Sequence, residues 1–365
     1  MDSKSVPERG DPDSATARPQ GTGGGSALSE AAFLPVQLAS LCVDTIMGFD
    51  LYSRSARSSQ MVLYRAGNLR FTEFHRDRLR EHGVEALYIA ASDRKHYLRY
   101  LEGHLNEVLR SEGIPAPERA KILYSSASLL IEDLFADPTL GASVSRAHAF
   151  VDSTVDYLFK RAEHFIDLLE IMSFDYHTYT HSVNVCIFGV ALGRSLGYGQ
   201  RDLNRLGAGL LLHDAGKAQI DPAILAKRGG LSPEEWEIIK THPARGVELL
   251  SKSGAVEPDS LLVVRQHHEK CSGQGYPAGL TEGQIHSFAK IASVADVFDA
   301  LTTERPYKRA VASFPAIRIM QGEMADAFDR TMLREMILLL HRSQGRADGA
   351  GGAGRTEAGD KVAAA

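Results

Sequence analysis

Residues 201–217 read RDLNRLGAGLLLHDAGK, a helix-length run that becomes wholly apolar over its second half and then ends on His213 and Asp214, stopping at Gly216. An ionisable group in apolar surroundings is costly unless it is paired, hydrogen-bonded or bound to metal, so two at the end of a buried helix require partners from elsewhere in the chain. The preceding run, HSVNVCIFGVALGRSLG (181–197), is apolar around its whole circumference, the pattern of a helix at the centre of a domain, and it opens on His181. Downstream, Ser232, Pro233 and Glu235 form a capping-box start for a helix around Trp236 that delivers His242. Pro243 disfavours helical backbone at the residue before it, which predicts a kink or boundary at His242. LLVVRQHHE (261–269) brings His267 and His268 to another apolar helix end, and KIASVADVFDAL (290–301) embeds Asp296 among Ile291, Val294, Val297 and Phe298.

Taken singly these residues say little, because a lone histidine near an apolar face is usually a hydrogen-bonded core residue and a His-Asp dipeptide is common by chance. The series is the signal. His181, the pair His213 and Asp214, His242, the pair His267 and His268, and Asp296 come from separate predicted helices, each flanked by core-type residues, and a metal centre accounts for them better than a set of accidents. Imidazole and carboxylate without thiolate suit iron, manganese or zinc in an open site. The set exceeds what one ion takes from protein, which favours two ions sharing a bridging ligand. Adjacent residues on a helix point about 100° apart, so His213 and Asp214 would serve two neighbouring ions rather than one.

The rest of the 365-residue chain sets the frame. A net charge of −5 and a pI near 6.3, without a long basic run, argue against nucleic-acid binding. Cys42, Cys186 and Cys271 are scattered and form no CxxC, which argues against disulfides and thiolate zinc and points to a reducing cytoplasm. No signal peptide or membrane-spanning run is evident. Composition predicts disordered tails at 1–30 and 341–365. Between them, MVLYRAG (61–67) and EALYIAA (85–91) read as strands around the helical TEFHRDRLREHG (72–83), a small α/β accessory module at 31–93. Everything later reads as helix: a linker at 94–142, with helices near 119–135 and 143–172, and a catalytic domain at 143–340. The fold class is mainly α.

LLHDAGK and HHEKCSGQGYPAGL (267–280), preceded by YHTYTHSVNV (176–185) and followed by VADVFDALTTERPYKR (294–309), resemble the HD-GYP family of the HD phosphohydrolase superfamily over roughly residues 145–330. The resemblance implies an all-helical HD-type metal-dependent phosphohydrolase domain. It implies hydrolysis of cyclic di-GMP, to the linear pGpG and often to GMP, by attack of a metal-bridging hydroxide on phosphorus. By position, it makes His181, His213, Asp214 and Asp296 ligands of one metal, with Asp214 bridging to a second held by His242, His267 and His268; iron or manganese is the implied occupant. Asp214 and Lys217 take catalytic roles, Lys217 at the scissile phosphate. Arg305 and Lys308 bind the substrate phosphates, and the loop around Tyr276 meets substrate or a signalling partner. Without the resemblance, Lys217 reads as an exposed helix-terminal lysine and ERPYKR as a solvated turn. A homodimer through the accessory module is a further expectation.

Two positions depart from the family pattern. Family members with a third metal carry glutamate four residues before the first histidine, where this chain has His177; His177 and His181 still share one helical face, leaving a third ion open. The family pattern HHExxDGxGYP has aspartate where this chain has Ser272, which puts loop order or activity at issue. Alternative readings are therefore a non-enzymatic nucleotide receptor or interaction module, and a hydrolase of another cyclic dinucleotide.

Overall fold

A computed structural model describes residues 32–55, 60–136, 141–161, 163–172, 178–227, 229–303 and 310–351. The accessory module is built on β6 (Ala86–Ala90), whose Leu87 and Ile89 alternate into the core and are fully buried. β6 pairs antiparallel with β1 (Phe33–Gln37) on one side and β3 (Leu51–Arg54) on the other, and β4 (Met61–Arg65) completes the order β1-β6-β3-β4. β2 (Thr45–Ile46) and β5 (Arg70–Phe71) form a separate short ladder, and α1 (Glu73–Glu81) follows it. The sequence pattern yields β4 and β6. β2, β3 and β5, at two to four residues, are too short for alternation to identify them, and β1 is interrupted by Pro35.

The segment between module and catalytic domain packs against both. α2 (Arg94–Gly103) turns Tyr97 and Tyr100 onto the module: the Tyr97 hydroxyl lies 2.8 Å from Ser40 Oγ, and the Tyr100 hydroxyl accepts from the Cys42 backbone N–H at 2.7 Å. α3 (Leu105–Arg110) leads to α4 (Ala116–Ala136), which lies against α5 (Gly141–Lys160), α6 (Glu163–Ile171) and α7 (Thr178–Ser195). The single long helix expected at 143–172 is two, α5 and α6. Arg146 of α5 donates to both carboxylate oxygens of Glu102 at 2.6 and 2.7 Å, a paired geometry only a guanidinium offers.

α7 is the central helix, as its all-round apolar pattern requires, packed on α4, α8 (Gln200–Leu212), α13 (Ser287–Thr302) and α15 (Arg330–Gly351). Around this centre lie α9 (Pro222–Leu225), α10 (Pro233–Ile239), α11 (His242–Ser251), α12 (Pro258–Gln266) and α14 (Ser313–Gln321). Beyond β6 the described residues contain no strand, only an isolated bridge between Ser272 and Thr281. α15 carries helical backbone to Gly351, into the stretch from 341 that composition assigns to a tail, and Met336 and Leu340 anchor it in the core. No described helix is long and apolar enough to cross a membrane.

Candidate metal centre

The seven side chains singled out in the sequence converge. His181 projects from α7, His213 and Asp214 from the end of α8, His242 from the first position of α11, His267 and His268 from the end of α12, and Asp296 from α13. Their donor atoms form two groups, His181/His213/Asp296 and Asp214/His242/His267/His268, each within 4.8 Å. The Asp214 carboxylate stands between them. Its Oδ2 lies 3.4 Å from His213 Nε2 and 3.8 Å from His181 Nε2, while Oδ1 lies 3.3 Å from His242 Nε2. Asp296 faces both groups too, Oδ1 at 3.2 Å from His181 and Oδ2 at 3.7 Å from His268.

Local backbone sets these positions. The capping box at α10 forms, with Ser232 Oγ accepting from Glu235 N–H at 3.2 Å and Glu235 Oε2 accepting from Ser232 N–H at 2.6 Å. α10 ends at Ile239 and α11 begins at His242, the boundary that Pro243 predicts. The turn after His213-Asp214 lies directly on α11: a Cβ at Gly216 would come 2.0 Å from the His242 carbonyl oxygen. Only glycine lets Asp214 and His242 approach this closely.

Ring orientation is fixed from outside. His213 Nδ1–H donates to the Leu210 carbonyl at 2.7 Å, His242 Nδ1–H to Ile239 at 2.7 Å and His267 Nδ1–H to Val264 at 2.9 Å. Because a carbonyl only accepts, these contacts put the proton on Nδ1 and leave Nε2 as a lone pair facing inward. His242 Nε2 and His267 Nε2 then point at each other across 3.2 Å. Burial pushes the pKa of His242 down to about 4 and that of His267 well below the usual imidazole value, so protonation does not relieve the opposition. The Asp214 Oδ1 atom beside them is buried and accepts no hydrogen bond among the described residues. Two opposed lone pairs and an orphaned carboxylate oxygen in one buried spot fit a cation. The residues present therefore suit the metals that the donor set implies.

Burial opposes ionisation of Asp214 and Asp296. Lys217 and the neighbouring histidines outweigh it at Asp214, and His181 with His268 at Asp296, holding both pKa values well below the ordinary aspartate range. At His181 burial favours the neutral ring, yet Asp296 and Asp299 together push its pKa up to about 10. Lys217 Nζ donates to Asp214 Oδ2 at 2.5 Å and its side chain is one-fifth exposed, so it borders the opening. The Tyr276 ring covers the site, 4.7 Å from His268 and 6.4 Å from His242.

Two residues escaped the sequence reading. Asp299, 1% exposed, accepts from His181 Nδ1–H at 2.7 Å, Asn184 Nδ2 at 2.7 Å and Thr303 Oγ1 at 3.0 Å; the Asn184 carbonyl in turn accepts from the Tyr124 hydroxyl of α4 at 3.1 Å. A second aspartate three residues after Asp296, hence on the same helical face, was the available signal. Glu269 is the other. Its buried carboxylate accepts from the Ala278 N–H at 2.7 Å and the Leu280 N–H at 2.9 Å, and this organises the loop that presents Tyr276. Gly275 lets the loop close, since a Cβ there would lie 2.3 Å from the Lys270 nitrogen. Ser272 is exposed and its backbone bridges to Thr281. His177, Arg305 and Lys308 lie outside the described residues.

Residues 158–332 match the HD domain family. The chain is 32% identical over 287 residues to the cyclic di-GMP phosphodiesterase PA4108 of Pseudomonas aeruginosa, a match covering 75% of this chain and 69% of that protein. It is 36% identical over 155 residues to 3'3'-cGAMP-specific phosphodiesterase 3 of Vibrio cholerae, covering 42% and 33% respectively. Among solved structures, Bd1817, an HDG"Y"P protein from Bdellovibrio bacteriovorus, superposes with a TM-score of 0.58 over 85% of this chain and 99% of that one, at 21% identity, and so shares the fold. The helical bundle and its buried His/Asp centre define an HD-domain protein. Within that class, the chain belongs to the HD-GYP family.

Proposed function

We propose that this chain is a metal-dependent phosphodiesterase that hydrolyses cyclic di-GMP to pGpG, GMP or both. The observation that carries the reading is the Asp214 carboxylate, buried between two histidine groups with one oxygen turned to each. His181, His213 and Asp296 would hold one divalent ion with Asp214, and His242, His267 and His268 a second; iron or manganese suits this thiolate-free donor set. When bound, the ions supply Lewis acidity at phosphorus and lower the pKa of water.

The protein's own groups supply the rest. Carbonyl contacts at Nδ1 keep His213, His242 and His267 in the tautomer that offers Nε2 inward. Lys217, beside Asp214 at the opening, is placed to neutralise charge developing on the phosphoryl oxygens. Tyr276 walls the substrate side. Arg305 and Lys308 are assigned to the remaining phosphate charge from their place in the motif, the guanidinium through paired hydrogen bonds and the lysine as a mobile point charge.

The test is chromatography of products from metal-loaded protein offered cyclic di-GMP and 3'3'-cGAMP side by side. Linear dinucleotide or GMP should accumulate from cyclic di-GMP, and both chelation and His213→Ala should abolish it. Binding without product from metal-loaded wild type would remove the hydrolase reading in favour of a receptor, and preference for 3'3'-cGAMP would replace the substrate.

A further inference from the structure

The ligand set described above grips phosphate and reads no base, so a cyclic dinucleotide needs another surface to hold its purines. We propose that Trp236 is that surface, a stacking platform for one guanine at the mouth of the metal centre; the inference rests on the cyclic di-GMP reading. Trp236 is 45% exposed. Its ring meets Tyr276 at 6.2 Å and 76°, and Tyr276 in turn lies 4.7 Å from His268 at 30°. Three rings thus lead from the half-buried His268 at the edge of the cluster outward to an exposed indole. Among the described residues no other ring contacts the indole, so its exposed part has no aromatic partner.

The platform is held rigidly. α10 has Pro233 in its first turn and a closed capping box, and Lys227 Nζ donates to both Glu235 oxygens at 2.8 and 2.6 Å, tying the preceding loop to the helix. The Ile239 carbonyl, at the end of the helix that carries Trp236, accepts from His242 Nδ1–H, so the backbone that carries the indole also orients the His242 ring. An indole left in solvent, edge-on to a residue that walls the site, is suited to a flat aromatic ligand, and every purine has a face to offer.

Trp236 is the only tryptophan in the chain, so its emission reports on this residue alone. A non-hydrolysable phosphorothioate analogue of cyclic di-GMP titrated into metal-loaded protein should quench that emission saturably after correction against free N-acetyltryptophanamide. In metal-loaded protein, Trp236→Ala should raise KM for cyclic di-GMP about 5–10-fold, the lower part of the range for loss of one base–aromatic stack, with kcat within about twofold. Trp236→Phe keeps a stacking face and should restore KM to within about threefold of wild type. An active Trp236→Ala enzyme with wild-type KM, or wild-type emission indifferent to the nucleotide, would overturn the platform and leave the hydrolase reading standing. Wild type that turns over no cyclic di-GMP would remove both.

Discussion

Asp299→Ala isolates what the carboxylate behind His181 contributes. Asp299 touches no solvent to speak of and receives three hydrogen bonds, one of them from the ring that faces Asp214 and Asp296. Truncation removes the carboxylate that accepts from His181 Nδ1–H, and with it the group that selects the tautomer with Nε2 free. Loss of such an outer partner lowers metal affinity by about 10–100-fold, equivalent to about 1.4–2.8 kcal/mol. Chelator competition at neutral pH reads this directly, and excess metal should recover much of the lost activity because His181 itself remains. Asp299→Asn should fall between wild type and alanine. Its amide can offer oxygen to His181 only if Asn184 also turns over and hands its NH2 to the Tyr124 hydroxyl. Folded Asp299→Ala protein with an unchanged chelator competition curve would refute the positioning role, whatever its stability.

Two further outcomes follow from the same geometry. In metal-free protein, His242 has a folded pKa of about 4, below the ordinary 6.5, so the unfolded chain binds more protons between those values and stability falls as pH drops through that window, by up to about 1.4 kcal/mol per unit. His181, at about 10, has the opposite sign: its contribution is complete below 6.5 and is lost as pH rises through 10, so melts of chelated protein should peak near neutrality while added metal, which displaces the His181 proton, flattens the alkaline side. Ser272→Asp should change stability by less than about 0.5 kcal/mol and leave turnover near wild type, because the side chain is exposed, whereas Glu269→Ala strands two loop N–H groups at about 1–3 kcal/mol each and should also raise KM through Tyr276. Denaturant melts and steady-state kinetics on the pair decide it, and a damaging S272D beside a silent E269A would reverse the assignment.

The helices were legible because burial dictates their composition. α7 is apolar on every side and lies at the centre, while α8 becomes apolar just where it approaches α12 and its own terminal His213 and Asp214. Pro243 and the Ser232 capping box located two boundaries to the residue. The accessory sheet was half legible, since β1 contains Pro35, and β2 and β5 are two residues each and owe their existence to pairing rather than to pattern. The attachment of α4 was not legible at all. Its apolar content suits a linker bundle equally well, whereas the Tyr124 hydroxyl on Asn184 ties it to the residues behind His181.

What separates the residues found from those missed is the direction of their chemistry. His181, His213 and Asp214 stand out in sequence because a polar group interrupts an apolar run, and that interruption marks the inward face of the site. Asp299 interrupts the same run as Asp296, yet the sequence alone does not tell which of two aspartates one turn apart points at the centre and which braces a ligand from behind. Three dimensions decide it through His181: Nε2 faces Asp296 at 3.2 Å and Nδ1 faces Asp299 at 2.7 Å, so one imidazole sorts two like residues into different tasks. The same holds at HHE, where His267 turns inward and Glu269, two residues on, turns to the loop. Ser272 looked like the weak point of the loop because it breaks a pattern, but the loop's hydrogen bonds converge on Glu269, and a substitution matters here according to the bonds its side chain carries.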